Sequence, residues 1–290
     1  MAQESPARRA WRYNARRCSN AILVKPPPQS TATAPCALCL RPERLLVSHL
    51  IPAGFYRLLR DDGKKNPNPI VVGQEVSLQT AVQVEAPLLC RECEQRLNNG
   101  GERWVLQNCF RSAEGFKLQD VLTAANPLHR RRDSVIYAGV QIAGVNMDAL
   151  AYFAASVIWR AAAHTWKYHD SREQLSLGPY YDAFRLYLLG RQEFPTSAAL
   201  WINVWLTPIN LCVMPRTLPA NGYRHHNFTV PGISFHLFVG QRIPVGARFA
   251  CAVRSPERMI ILSDSMNGPM LAGIARMVTG SRPKGSLRDD

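Results

Sequence analysis

A chain of 290 residues that is 47% hydrophobic can bury its own core, so it does not need the disulfide framework of a small secreted domain. Thirty-five Lys and Arg against 21 Asp and Glu give a formal charge of +14, which suits a polyanion whose phosphates release counterions when neutralised. The same balance is found in proteins that are merely basic, and composition alone does not separate the two.

Residues 1–35 carry six Lys or Arg and one Glu. They include Arg8, Arg9, Arg12, Arg16 and Arg17 and contain no apolar leader stretch, so no secretory signal is expected. The segment ends in Lys25-Pro26-Pro27-Pro28 and a Ser/Thr/Ala run to Pro35. Consecutive prolines favour extended polyproline II and donate no backbone hydrogen bonds. A basic arm and stiff linker follow, with Trp11 and Tyr13 suited to stacking on bases. A solvated tail has the same composition.

Residues 36–115 read as a finger. Cys36-Ala37-Leu38-Cys39 opens it and Cys90-Arg91-Glu92-Cys93 closes it. Each C-x-x-C turn supplies two thiolates, and two such turns suit one tetrahedral zinc. A closed four-thiolate shell leaves no position for water, so zinc at Cys36, Cys39, Cys90 and Cys93 is expected to hold shape and do no chemistry. Coincidental cysteines or a redox pair are the alternative. Cys18, Cys109, Cys212 and Cys251 stand singly and read as free thiols. Between the knuckles, Leu45-Leu46-Val47 reads as a strand leading into Ser48-His49-Leu50-Ile51-Pro52, and Gly54 to Leu59 as a helix or turn. Asp61 to Pro69 has loop composition, and Val76 to Val84 alternates like a strand. Cys93 to Leu97 has helix formers, with Asn99-Gly100-Gly101 as an interruption before Glu102 to Phe110.

Residues 116–290 are expected to form an α+β domain. Asn146 or Asp148 caps a helix whose apolar positions, Leu150, Phe153, Ala154, Val157, Ile158 and Ala161, recur at helical spacing to about Trp166. Its apolar run, Ala149 to Ile158, falls short of the about 20 residues that span a bilayer, so a cytoplasmic protein without a membrane partner is expected. Arg160, at the edge of that face, reads as a snorkelling or ion-paired side chain. A second helix runs from Pro179 to Leu189 and stops at Gly190. Trp201–Leu206, Leu211–Met214, Asn227–Val230, Ser234–Val239, Phe249–Val253 and Met259–Leu262 read as an antiparallel meander, followed by a helix from Pro269 to Val278 and a frayed tail. His225, His226 and His236 invite a metal, but adjacent strand residues face opposite sides, which argues against one shared ion.

The order C-x-x-C, His-aliphatic-x-Pro, then C-x-x-C entering a helix resembles the four-cysteine branch of the HNH (His-Me finger, ββα-metal) endonucleases, over about residues 36–110. The resemblance implies a zinc-stapled, treble-clef-like ββα finger. His49 would be the general base on water, and Mg²⁺ or Mn²⁺ would sit against the scissile phosphate. The family's acidic residue before the His is Ser48 here. The Asn or His after the last cysteine is Glu94, a hard oxygen ligand, with Asn98 one turn further on the same face. Asp61 or Asp62 could add a carboxylate. A nucleic-acid partner is implied, DNA ahead of RNA. Ser156 to Arg160 and Leu177-Gly178-Pro179 resemble parts of bacterial proteins that join such a finger to a helical and β-rich C-terminal part. Roles in phage defence or mobile-element biology follow by analogy only. The alternative is a non-catalytic zinc finger that binds nucleic acid or joins a complex, with a protein partner or a second copy docking on the C-terminal part.

Overall fold

The computed structural model describes residues 33–61, 63, 65–73, 75–109, 115–168, 171–207, 210–264 and 269–288. The basic arm with Trp11, Tyr13 and Cys18, and also Asp62, lie outside the described residues.

The finger starts with β1 (Thr33–Pro35), paired antiparallel with β2 (Pro42–His49). Helix α1 (Ala53–Leu58) follows Pro52. β3 (Ile70–Val72) and β4 (Val76–Gln79) form a hairpin, and β5 (Glu85–Cys90) returns antiparallel to β2, giving the order β1-β2-β5. Cys90 ends β5 and is also the N-cap of α2 (Arg91–Leu97). Asn99-Gly100-Gly101 does not interrupt this helix. Asn98–Glu102 form one π turn and α3 (Arg103–Asn108) runs on. The glycines serve close packing, because a Cβ on Gly101 would stand 2.5 Å from the carbonyl oxygen of Ala149 and 2.7 Å from the amide nitrogen of Phe153.

After α4 (Lys117–Ala124), β6 (His129–Arg130) and β7 (Ser134–Ala138) comes α5 (Met147–Ala163). Of the two candidate caps, Asn146 and Asp148, it is the Asn146 side chain that caps α5, accepting from the Ala149 N–H at 2.9 Å. Apolar contacts surround α5 on nearly every face, so it is a central helix and not a one-sided surface helix. The small hairpin β8 (Trp166–Lys167) and β9 (Arg172–Glu173) leads to α6 (Tyr181–Leu188).

The remaining strands are β10 (Ala198–Trp205), β11 (Val213–Leu218), β12 (Arg224–Val230), β13 (Ile233–Val239) and β14 (Met259–Ser263). They build one sheet in the order β11-β12-β13-β10-β14-β7-β6. Two corrections to the expected antiparallel meander follow. β14 lies parallel to β10, with Asn203 opposite Ile261. Phe249–Val253 is not a strand: α7 (Val245–Phe249) precedes a turn there, and its Ala247 carbonyl accepts from Trp201 Nε1 at 3.1 Å. β10 separates β13 from β14, so the chain crosses over instead of turning back in a hairpin, which the parallel pairing of β14 with β10 requires. The tail is not simply frayed either. After α8 (Pro269–Gly280), β15 (Arg282–Lys284) pairs with β4 of the finger.

Phe153 of α5 links the parts. It meets Phe55 of α1 at 5.8 Å and Phe228 and Phe235 of the sheet at 5.8 and 5.4 Å between ring centres. One apolar core accordingly runs from Cys36 and Leu38 to Ile260 and Leu262.

The three sheet histidines divide as strand alternation requires. His226 faces the core, is fully buried, and pairs through Nδ1 with Thr217 Oγ1 at 3.0 Å. His225 turns the other way and meets His236 of β13, Nε2 to Nδ1, at 3.0 Å. Burial pushes His226 and His236 from the ordinary 6.5 down to about 4, with neighbouring positive charge adding to the effect. Folding therefore favours the neutral rings. The stabilisation is complete above pH 6.5, declines below it, and is gone once the pH passes about 4. At ~1.4 kcal/mol per unit, His226 alone contributes on the order of 3 kcal/mol. Melting temperatures are expected to hold between pH 8 and 7 and to fall steadily below about pH 6.5, with a shallower fall in His226→Gln. An equally steep fall in that variant would exclude His226 as a cause.

Candidate metal centre and neighbouring polar site

The two knuckles meet because β5 lies beside β2 and ends where α2 begins. The Sγ atoms of Cys36, Cys39, Cys90 and Cys93 all lie within 4.8 Å of one another. Cys36, Cys90 and Cys93 are buried, and Cys39 is half-buried. The Cys90 N–H donates to Cys36 Sγ at 3.3 Å, and Ala37 N–H donates to the Leu88 carbonyl at 3.1 Å, so backbone bonds fix the first knuckle against β5. Outside, Arg41 and Glu92 form an ion pair across the two knuckles. The Cys36 thiol is lowered to about 4, chiefly by the Cys93 side chain that donates to it. Four soft ligands at this separation fit a zinc ion. Among the described residues, this is the group of three or more His, Cys, Asp or Glu with the spacing to share a metal. Cys109, Cys212 and Cys251 are free thiols.

His49 ends β2, directly opposite Glu85 at the start of β5. Its Nε2 stands 3.1 Å from Glu85 Oε2, and about a quarter of its side chain is exposed. Tyr56 of α1 steadies this corner by accepting the Val84 N–H at 3.2 Å. Burial lowers the His49 pKa below its ordinary value; Arg160 and Arg57 add to that, while Glu85 and Glu102 oppose it. The surroundings therefore favour the neutral ring. Arg57 is exposed on α1, close enough for its charge to act on the ring.

Ser48 faces the opposite way from His49, as alternation demands. It is buried and its Oγ donates to Glu94 Oε1 on α2. Burial raises the Glu94 carboxyl, partly offset by Arg160 and by the Ser48 hydroxyl. The two positions where this chain differs from the HNH pattern are thus in direct contact. Asn98, at the first position of the π turn, is exposed. Asp61 sits in the loop after α1, where its Oδ1 accepts the Gly63 N–H at 3.2 Å.

Behind these groups lies Arg160, which is 1% exposed. Its Nη1 donates to the His49 carbonyl at 2.8 Å, and its Nη2 pairs with Glu102. Arg160 is thus ion-paired and does not snorkel to solvent. The π turn matters here, because it carries Glu102 inward while Gly100 and Gly101 let α2–α3 approach α5. Glu85, Glu102 and Arg57 were missed in the sequence. The available signals were the position of Glu85 opposite His49 once β2 and β5 are paired, and a lone Glu after two glycines facing a helix that carries a lone Arg.

The resemblance implies Mg²⁺ or Mn²⁺ at this corner. The Glu94 carboxylate and Ser48 hydroxyl are adjacent hard oxygens. Glu85 pairs with His49, while the buried guanidinium of Arg160 pairs with Glu102 and its charge acts on Glu94. Glu102 is held by Arg160 and Glu85 by His49, which leaves Glu94 beside the Ser48 hydroxyl as the pair of hard oxygens at this corner. No helix among the described residues is long and apolar enough to cross a membrane. No family model, curated protein or solved structure matches the chain.

Proposed function

We propose that the protein is an HNH-like, metal-dependent endonuclease that hydrolyses nucleic-acid phosphodiesters, with the four-cysteine zinc as its structural staple. The observation that carries the proposal is His49: a neutral, partly exposed imidazole at a strand end, oriented by Glu85 and flanked by the exposed Arg57. A general base needs an unprotonated nitrogen near neutral pH and a partner that stabilises the cation it becomes. With Nε2–H donated to Glu85, Nδ1 keeps the lone pair that accepts a proton from water. Glu85 then faces the imidazolium. Arg57, and Arg60 one turn on, suit the phosphates of a bound strand. Glu94 with the Ser48 hydroxyl would hold Mg²⁺ or Mn²⁺, which when bound supplies Lewis-acid stabilisation of charge on the phosphate.

A second reading, nucleic-acid binding without cleavage, is favoured by one observation: where a second carboxylate would stand, the Ser48 hydroxyl already donates to Glu94. Cleavage of plasmid DNA and of RNA with Mg²⁺ or Mn²⁺ separates the two. His49→Ala is expected to lower the rate by about 10²–10⁴-fold while leaving zinc content and strand affinity intact. Equal rates in both proteins would remove His49 from the chemistry, and tight binding with no cleavage by either would establish the second reading.

A further inference from the structure

At one end of the seven-stranded sheet, three connections border an open cleft of about 750 Å³. They are the turn Gly178–Tyr180, the β11–β12 link and the segment after β13. The volume falls within the range of small-ligand sites, roughly 300–1,000 Å³. Arg224, the first residue of β12, is half-buried in this cleft, and Arg242 is exposed at its outer side. The Arg224 guanidinium lies over Gly178, where a Cβ would stand 2.8 Å from Nη2. Gly178 has φ 55, so glycine both permits the turn and leaves room for the guanidinium.

Arg224 is unlike the other well-covered arginines. Arg160 holds Glu102, Arg185 holds Asp182 and Arg258 holds Asp148. Among the described residues the Arg224 side chain has no ion pair or hydrogen bond, and no Asp or Glu lines the cleft. Two guanidinium groups with no carboxylate between them leave charge unsettled in a partly desolvated space. Arginine forks match phosphate oxygens bidentately. The half-buried rings of Tyr180 and Tyr223 and the Gln241 amide supply an apolar face and a polar handle beside them.

We propose that this cleft binds a small phosphate-bearing ligand, a mononucleotide or a bare phosphate group, through Arg224 and Arg242. The site lies outside the finger and does not depend on cleavage at His49. Calorimetric titration of the zinc-loaded full chain with AMP, ATP, adenosine and inorganic pyrophosphate tests it. One equivalent of a phosphate-bearing probe is expected to bind, adenosine is not, and Arg224→Met is expected to weaken binding about tenfold or more. AMP binding more tightly than pyrophosphate would identify a nucleotide, and equal binding would identify the phosphate group itself; both support the site. Arg242→Met, on an exposed residue, carries the test if Arg224→Met does not fold. Adenosine binding as well as AMP, affinity unchanged in the arginine variants, or no probe bound below roughly 1 mM would overturn the proposal. His49→Ala is expected to leave this binding unchanged, which separates it from any result in the cleavage assay.

Discussion

Replacing both Cys90 and Cys93 with Ser is expected to remove the bound metal and unfold the finger. Cys90 ends β5 and caps α2, and Cys93 lies in the first turn of that helix. Both are buried, at 3% and 1% exposure, so two hydroxyls would replace two thiolates where water cannot compensate. Structural zinc contributes about 10–16 kcal/mol of apparent binding free energy in small fingers, more than the ~5–15 kcal/mol that holds an ordinary domain together. The damage should spread beyond the finger, because Cys36, Cys90 and Cys93 belong to the same apolar core as α5 and the large sheet. Metal analysis should show zinc falling from one equivalent to none, with loss of near-ultraviolet circular dichroism. Cys212→Ser, at a half-buried free thiol away from the cluster, should keep its zinc. Stoichiometric metal in the double variant would show that these four cysteines are not the ligands.

The knuckles were legible in the sequence because metal ligation imposes a local spacing. Cap residues and turn glycines were legible for the same reason: Asn146 caps α5 and Gly190 follows α6 as their residue types dictate. What could not be read depends on pairing between distant segments. The Glu85 partner of His49 exists only once β5 lies antiparallel to β2 with its register shift between Leu46 and Val47. The parallel placement of β14 beside β10 is a matter of chain crossover, to which the apolar run Met259–Leu262 is blind. The glycine pair at 100–101 misled because glycine usually ends helices, whereas here it allows one helix to touch another. Arg160 reads from the sequence as lying at the edge of the apolar face, but it is 1% exposed and its Glu102 partner is 58 residues away.

Arg160→Met is expected to cost about 3–5 kcal/mol, the usual penalty for leaving one member of a buried ion pair uncompensated. Arg160 is 1% exposed and Glu102 retains only 10% of its side-chain exposure, so solvent cannot take over from the lost guanidinium. The His49 carbonyl would lose its donor at 2.8 Å as well, loosening the strand end that carries the imidazole. Glu102→Gln should cost a similar amount by stranding the arginine. The double variant Arg160→Met/Glu102→Gln should cost less than the two losses combined, since no lone buried charge remains; a neutral pair of similar volume can approach the stability of the ion pair it replaces. Denaturant unfolding of the four proteins gives the coupling directly. A coupling below about 0.5 kcal/mol would mean that the pair acts as two independent residues. A large coupling, with a slower cleavage rate in the folded double variant, would mean that α5 sets the position of His49 through this guanidinium. The π turn would then have a physical purpose: it rotates Glu102 inward to hold Arg160 where the carbonyl of His49 needs it.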